Sequence, residues 1–109
     1  MAEKSELLPG TLDMLILHVL SRGELHGWGI TNHLEQLSQS ALQVDEGSLY
    51  PALYRMEDKG WIEAEWRVTE NNRRAKYYTL TRAGRKQLEK EQELWERMSA
   101  IITNVMQTA

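Results

Sequence analysis

Hydrophobic and polar residues in the middle of the chain change from helical spacing to strict alternation. In the helical part, three apolar side chains fall on one side of a 3.6-residue period: Leu49, Leu53 and Met56. Gly60 interrupts this period, and the sequence WIEAEW then alternates as a half-buried strand does. The pattern predicts a helix that ends at Gly60 and a strand directly after it.

An earlier helix is predicted from Thr11, a plausible N-cap, to about Gly23. Its apolar residues are Leu12, Leu15, Ile16, Val19 and Leu20. They cover more than one stripe of the helix, so a second layer such as another subunit is expected to cover it.

A second helix is predicted to begin around residues 26–29 and to end near residues 38–40. Its apolar face carries Ile30, Leu34 and Leu37. Asp45 is a suitable N-cap for the third helix, so the second and third helices form a helix-turn-helix. Pro51 removes one backbone hydrogen bond inside the third helix, which therefore either starts late or bends there.

A β-hairpin is predicted after the third helix, with strands over residues 61–67 and 76–80. The pair Asn71-Asn72 favours a turn in the loop over residues 68–75. Arg73 and Arg74 would lie at its tip, where guanidinium groups suit phosphate contact. The expected fold class is α+β, mostly helical: a winged helix-turn-helix in which this hairpin is the wing.

The last predicted helix begins at Thr81 and carries an apolar seam. Leu88, Trp95 and Ile102 recur every seven residues, with Met98 and Val105 between them. We expect a C-terminal dimerisation helix over residues 81–109, after a DNA-binding domain over residues 8–80. The alternative, a helix that folds back on its own domain, is less favoured.

The charge is unevenly distributed. The chain of 109 residues has a net charge of -3, but residues 67–86 carry seven basic side chains and one acidic one, so the remainder carries -9. A compact basic patch on an acidic body is typical of a surface that binds phosphates. On the polar flanks of the third helix, side chains with hydrogen-bonding atoms would face DNA: Ser48, Tyr50, Tyr54 and Arg55. Arg73 and Arg74 of the wing complete the set that these patterns predict.

Other classes of protein are disfavoured by composition. The absence of cysteine excludes disulfides and thiolate metal sites, and no apolar run is long enough to span a bilayer. No secretory signal is recognisable, so a cytoplasmic protein without membrane contact is expected. His18, His26 and His33 lack the neighbours of a metal or catalytic site, and no Gly-rich phosphate loop occurs. We therefore expect neither an enzyme nor a bound cofactor or metal.

Several collinear segments resemble bacterial transcription regulators of the PadR family, in particular its short subgroup. They are LPGTLDMLIL, LHGWGI, GSLYPALYRME, GWIEAEW and ENNRRAKYYTLTRAGRKQLE. The resemblance implies a homodimeric winged-helix repressor that binds a palindromic double-stranded operator and is released by a small aromatic effector or another signal. It also implies DNA contact by Ser48 and Tyr50 and by the wing residues Arg73, Arg74 and Lys76.

Two departures from the family pattern stand out. Trp28 occupies a position where tyrosine is frequent, and Asp45-Glu46 replaces a small polar residue followed by proline. Carboxylates beside the recognition helix weaken phosphate attraction. The negative charge of Glu46, Glu57 and Asp58 supports the alternative of a winged-helix protein-protein interaction module without DNA binding, whereas the basic patch argues against it. For an effector, a cleft between subunits is the candidate site, lined by Trp95 and Met98 and by Met14 and Leu17 of the first helix. A dry, closed seam is the competing interpretation.

Overall fold

The computed structural model describes residues 10–107, which form four helices and a three-stranded antiparallel sheet. The elements are α1 (Thr11–Ser21), β1 (Leu25–His26), α2 (Gly27–Leu37), α3 (Glu46–Asp58), β2 (Ile62–Val68), β3 (Arg74–Leu80) and α4 (Arg82–Gln107). The predicted fold class is confirmed: α2 and α3 are the helix-turn-helix, and the β2–β3 hairpin is the wing. Of the predicted domain limits, residues 8 and 109 lie outside the described part.

The core is built around α1, which contacts α2, α3, α4 and β3. Five core side chains have no exposed surface: Ile16, Leu17, Ile30, Leu53 and Met56. The several apolar stripes of α1 are therefore covered mainly by the chain's own elements. The expectation that a second subunit covers this helix is not needed to explain them.

The N-terminus of the first helix differs from the prediction, whereas the second helix begins within the predicted range. Gly10, at φ 85°, is the N-cap of α1, and Thr11 is already helical, so the predicted cap at Thr11 is wrong. His26 caps α2, because its Nδ1 accepts a hydrogen bond from the Gly29 backbone N–H at 2.9 Å. At the other end of α2, Leu37 is 61% exposed because the last turn extends past the core.

Both ends of α3 follow the sequence signals. The Asp45 carboxylate accepts from the Ser48 backbone N–H at 2.9 Å, so α3 begins at Glu46 and continues through Pro51 without a late start. Gly60 has φ 78°, and the backbone N–H of Trp61 donates to the Met56 carbonyl at 3.0 Å. This left-handed glycine ends the helix as predicted.

The wing is longer and its turn is tighter than predicted. β3 begins at Arg74, which pairs with Val68 in register, so the connecting turn is only residues 69–73. The Thr69 backbone N–H donates to the Arg73 carbonyl at 2.7 Å, and Asn72 adopts φ 59°. The predicted Asn71-Asn72 turn is confirmed. β1 pairs with β3 at the opposite edge from β2, and its two residues are too few to show a period.

A hydrogen-bonded corner joins the wing to α4. Thr81 caps α4, because its Oγ1 accepts from the Gly84 N–H at 3.0 Å. The same residue donates to the Trp61 carbonyl through its backbone N–H at 3.0 Å and its hydroxyl at 2.9 Å. Gly84 packs so closely here that an added Cβ would lie 2.1 Å from the Trp61 carbonyl oxygen. The end of α3, the wing and the start of α4 therefore meet at one packed junction.

Candidate nucleic-acid interface

The outward face of α3 carries the first part of the candidate site. The helix buries one side in the core, through Leu49, Ala52, Leu53 and Met56. The opposite side leaves Ser48 exposed and Tyr54 62% exposed. Both side chains are thus placed where a partner can contact them.

Tyr50 is less available than predicted. Its side chain is half-buried and packs over the start of α2, where a Cβ added at Gly27 would lie 2.7 Å from the Tyr50 hydroxyl. Gly27 therefore makes room for the phenol. This contact fixes α2 against α3, so Tyr50 has a packing role in addition to any contact with a partner.

Two of the predicted DNA-binding cations are paired with carboxylates. Arg55 Nη2 lies 2.6 Å from Oδ1 of Asp13, a residue of α1 that is only 8% exposed. Lys76 Nζ lies 3.2 Å from Glu57 Oε1, so its charge is balanced by the recognition helix itself. These pairs attach α3 to α1 and to the wing, and they reduce the charge available for a polyanion.

Tyr78 lies beneath this region on β3 and belongs to the core. Burial, with smaller contributions from Glu57, Tyr50 and Tyr54, raises the pKa of Tyr78 to about 12. The phenol therefore stays protonated and neutral at physiological pH.

Arg73 and Arg74 are exposed at the end of the wing, as predicted. Arg73 lies in the turn, whereas Arg74 is the first residue of β3. The Arg74 guanidinium carbon lies 5.4 Å from the ring centroid of Trp66 on the neighbouring strand, within the range of a cation–π contact.

α2, α3 and the wing enclose an open cleft of about 740 Å³, called here the wing cleft. Its lining includes five of the predicted residues, Tyr50, Tyr54, Arg73, Arg74 and Lys76. Ser48 and Arg55 lie outside it. The other lining residues are His26, Gly27, Trp28, Trp66, Thr69, Asn71, Ala75 and Tyr78. Within the described chain, no Asp or Glu lines this cleft, although the protein as a whole is acidic.

Sequence reasoning missed Trp28 and Trp66 as parts of this site. Trp28 is 72% exposed and Trp66 is 58% exposed, and such exposure is unusually high for so large an apolar ring. Their separation along the chain hid their proximity. The alternation of β2 places Trp66 on the same strand face as Ile62. This alternation is the signal in the sequence from which the position of Trp66 could have been predicted.

The basic segment over residues 67–86 does not form one patch, so that prediction is wrong. Arg67 lies across the Tyr77 ring and forms ion pairs with Glu24 and Glu65, and its hydrogen bond lowers the pKa of Glu24. The cations of this segment that lie in α4 begin where β3 ends, roughly 20 Å from the wing turn over a seven-residue strand; these are Arg82, Arg85 and Lys86. Arg73 and Arg74 therefore supply most of the unpaired positive charge in the wing cleft.

A second feature is an apolar stripe along the distal part of α4. Its members are between 42% and 77% exposed: Leu94, Trp95, Met98, Ile101, Ile102, Val105 and Met106. Leu94 and Ile101 were missed because the predicted seam was drawn too narrowly, although they are also seven residues apart. Leu17 and Leu88 differ from the prediction, since both are buried in the chain's own core and neither faces a partner.

An open cleft of about 250 Å³, the α4 cleft, lies where this stripe meets the start of α1. It is lined by Gly10, Thr11, Met14, Glu91, Leu94, Trp95 and Met98. Oε2 of Glu91 is buried without a hydrogen-bond partner among residues 10–107. Burial, with a contribution from Asp13, raises the pKa of Glu91 above its usual value, while the hydrogen bond from Gln87 acts in the opposite direction.

Within residues 10–107 no cluster of His, Asp or Glu is arranged to hold a metal ion. In the same range, none of the helices has the length and apolar character needed to cross a membrane.

Comparison with known proteins gives one consistent family. A family model described as the transcriptional regulator PadR-like family matches residues 16–90. A transcriptional regulator of Mycobacterium tuberculosis is 34% identical over 84 residues, which cover 77% of this chain and 75% of that protein. The negative transcriptional regulator PadR of Bacillus subtilis is 30% identical over 71% of this chain, and the match covers 42% of that longer protein.

Solved structures agree with this result. A PadR-like transcriptional regulator from Bacillus cereus superposes with a TM-score of 0.81 and 31% identity, covering 96% of this chain and all of the other. A transcriptional regulator from Clostridium thermocellum gives a TM-score of 0.83 at 28% identity, covering 92% of this chain and 97% of the other.

Proposed function

Because the chain belongs to the PadR-like family of transcriptional regulators, we propose that it is a homodimeric repressor which binds a palindromic operator and leaves it when a small aromatic effector binds. The family consists of regulators, not enzymes. The observation that carries the proposal is the wing cleft, whose lining combines Tyr50 and Tyr54 of α3 with two wing arginines and contains no carboxylate among the described residues.

In the proposed complex, α3 lies in the major groove and presents Ser48 and Tyr54 to base edges or phosphates. Arg73 and Arg74 contact the adjacent phosphates, where planar guanidinium groups donate two hydrogen bonds at once. Tyr50 and Lys76 support these contacts from the wall of the cleft. Arg55 acts mainly by holding α3 on α1, since its charge is paired with Asp13.

Dimerisation is proposed to occur through the distal stripe of α4. A helix of 26 residues with only Gly84 and Leu88 buried leaves a long apolar face largely uncovered by residues 10–107. A second copy would cover this face under two-fold symmetry, which matches the symmetry of a palindromic operator. As a DNA-binding repressor, the protein is proposed to act in the cytoplasm.

The effector is proposed to bind at the α4 cleft. Trp95 offers a flat ring for stacking, and Met14 and Met98 adapt to ligand shape. The cleft also lies against α1, whose Asp13 holds the recognition helix. A ligand here therefore contacts the elements that set the orientation of α3.

Selection of bound duplexes from a random pool, followed by sequencing, tests the function. The expected product is an inverted repeat whose half-sites are about 10 to 10.5 base pairs apart or a multiple of this spacing. Enriched sequences without two-fold symmetry would contradict the dimeric operator. If nothing were enriched at low salt and a protein partner were captured instead, the proposed function would be abandoned.

A further inference from the structure

We propose that Trp66 is a positioning residue for Arg74, and that together with Trp28 they hold the sugar–phosphate chain of one DNA strand inside the wing cleft. The inference rests on the proposed function, since it presupposes DNA binding. It adds two residues that are not among the predicted DNA-binding residues.

The first step is the geometry of the wing. Trp66 pairs with Lys76, and Val68 pairs with Arg74, so Trp66 and Arg74 are diagonal neighbours on the same face of the hairpin. Diagonal neighbours lie within reach of aromatic and long side chains. The guanidinium carbon of Arg74 is 5.4 Å from the Trp66 ring centroid, and Trp66 keeps 58% of its surface exposed. The ring is thus a platform for the arginine and is not a core residue.

The platform matters because arginine loses much rotamer freedom when it binds a phosphate. A guanidinium already stacked on an indole face has part of that freedom removed, while its N–H edge remains free to donate. Arg73 provides the internal comparison: it is also exposed, in the adjacent turn, but no ring contact is made by its side chain within residues 10–107.

The opposite wall of the cleft carries Trp28, the second residue of α2 and 72% exposed. The indole N–H of Trp28 can donate a hydrogen bond but cannot accept one, so it suits a phosphate oxygen. The indole ring can pack on a deoxyribose. With arginine on one wall, indole on the other and no carboxylate in the described lining, the charge of the cleft is complementary to a polyanionic strand.

A double-mutant cycle tests the positioning role. Wild type, Trp66→Ala, Arg74→Ala and the double variant are titrated with a labelled duplex at fixed salt, and affinity is followed by fluorescence anisotropy. Trp66→Ala should weaken binding about two- to fivefold per wing, and roughly four- to twenty-five-fold for a dimer with two wings. In the Arg74→Ala background the same change should have no further effect.

Two controls separate positioning from a structural role. Trp66→Phe keeps a ring face and should restore most of the lost affinity. Trp66→Ala combined with Arg73→Ala should show simple additivity, since Arg73 does not stack on the ring. Far-UV circular dichroism should be unchanged in all variants, because Trp66 lies outside the core.

The inference is overturned if Trp66→Ala weakens binding equally in the wild-type and Arg74→Ala backgrounds, or if it leaves binding unchanged. In both cases wild type still binds DNA, so the proposed function survives. If wild type binds no duplex at all, the proposed function fails and this inference fails with it.

Trp28→Phe tests the opposite wall, because it removes the indole N–H and keeps an aromatic ring. A hydrogen bond to a charged phosphate predicts a loss of about tenfold per protomer, and roughly a hundredfold for a dimer. The loss should be equal for operator and unrelated duplexes, because phosphates carry no sequence information. An unchanged affinity, or a loss confined to the operator, would remove Trp28 from the strand contact.

Discussion

The guanidinium of Arg55 lies with Nη2 2.6 Å from Oδ1 of Asp13, so an ion pair ties α3 to α1. Asp13 is also one of the charges that act on Glu91 of α4. The carboxylate of Asp13 is therefore placed between the recognition helix and the helix proposed to form the dimer. A residue that the sequence assigns to DNA contact has its main partner inside the protein.

Replacing Arg55 by Gln should destabilise the fold by about 1 to 2 kcal/mol, because it leaves the Asp13 carboxylate buried and unpaired. The value is below that of a fully buried pair because the Arg55 side chain is half exposed. Urea denaturation measures the change. The Asp13→Asn/Arg55→Gln variant should recover most of the loss. If Arg55→Gln kept full stability and lost DNA affinity, Arg55 would be a direct DNA contact after all.

Glu91→Gln should stabilise the protein at pH 7 by about 1 kcal/mol, because it removes a charge from a site where one carboxylate oxygen is buried without a partner. The folded-state pKa of Glu91 is raised, so its favourable contribution is fully present below the unfolded pKa and is lost as pH rises through the folded value. The difference in melting temperature between variant and wild type should therefore shrink as pH falls toward 4. A difference that grew on acidification would contradict this assignment.

Gly84→Ala should strongly reduce stability, by about 1 to 3 kcal/mol or more. The added Cβ would meet the Trp61 carbonyl oxygen at 2.1 Å and Leu80 Cδ1 at 2.6 Å, and that carbonyl is held by two hydrogen bonds from Thr81. Gly47→Ala is the matched control, since its Cβ would only approach the Asp45 carboxylate at 3.5 Å. In a helix this second change should be neutral or stabilising by up to roughly 1 kcal/mol. Similar melting temperatures for the two variants would show that the atoms around Gly84 can move to accommodate the added Cβ.

Ile102→Glu should convert the proposed dimer to monomer, because it puts a charge into the apolar stripe of α4. Ala100→Glu adds the same charge on the opposite side of the helix and should leave the assembly intact. Sedimentation velocity at micromolar concentration distinguishes the two. Dissociation by both variants, or by neither, would place the interface elsewhere.

The salt dependence of DNA binding should reflect the small number of unpaired cations at the wing. Two arginines per wing correspond to about four phosphates per dimer, a slope of roughly -3.6 and a loss of about two decades in affinity between 50 and 200 mM salt. Arg73→Ala/Arg74→Ala should lower the magnitude of that slope by about 3 to 4 on every duplex. An unchanged slope would mean that other cations, such as those at the start of α4, contact the phosphates.

Local signals in the sequence were sufficient for most of the fold. Asp45, Gly60 and Thr81 each act through a hydrogen bond or a backbone conformation that depends on the residue itself, so the limits of α3 and the start of α4 could be predicted. The Asn71-Asn72 turn is predictable for the same reason. The two-residue strand β1 has no period of its own and exists only because β3 is beside it.

The candidate site was harder to predict because it depends on which charges meet across the fold. Arg55, Arg67 and Lys76 looked available for phosphates, but their carboxylate partners come from residues up to 43 positions away. Trp28 and Trp66 line one cleft only because α2 and the wing face each other across it. Summed charge along a segment therefore indicated a polyanion partner, but it misjudged which side chains remain free to bind one.

The hydrogen bonds from Thr81 to the Trp61 carbonyl have a consequence for operator choice. These bonds join the wing, the end of α3 and the base of α4. Each protomer of the proposed dimer therefore moves as one rigid unit relative to the apolar stripe of α4. The distance between the two recognition helices is then fixed only by the angle between the two copies of α4. One base pair added at the operator's centre would rotate one half-site by about 35° around the duplex axis. A rigid dimer would then place only one of its two recognition helices in its groove.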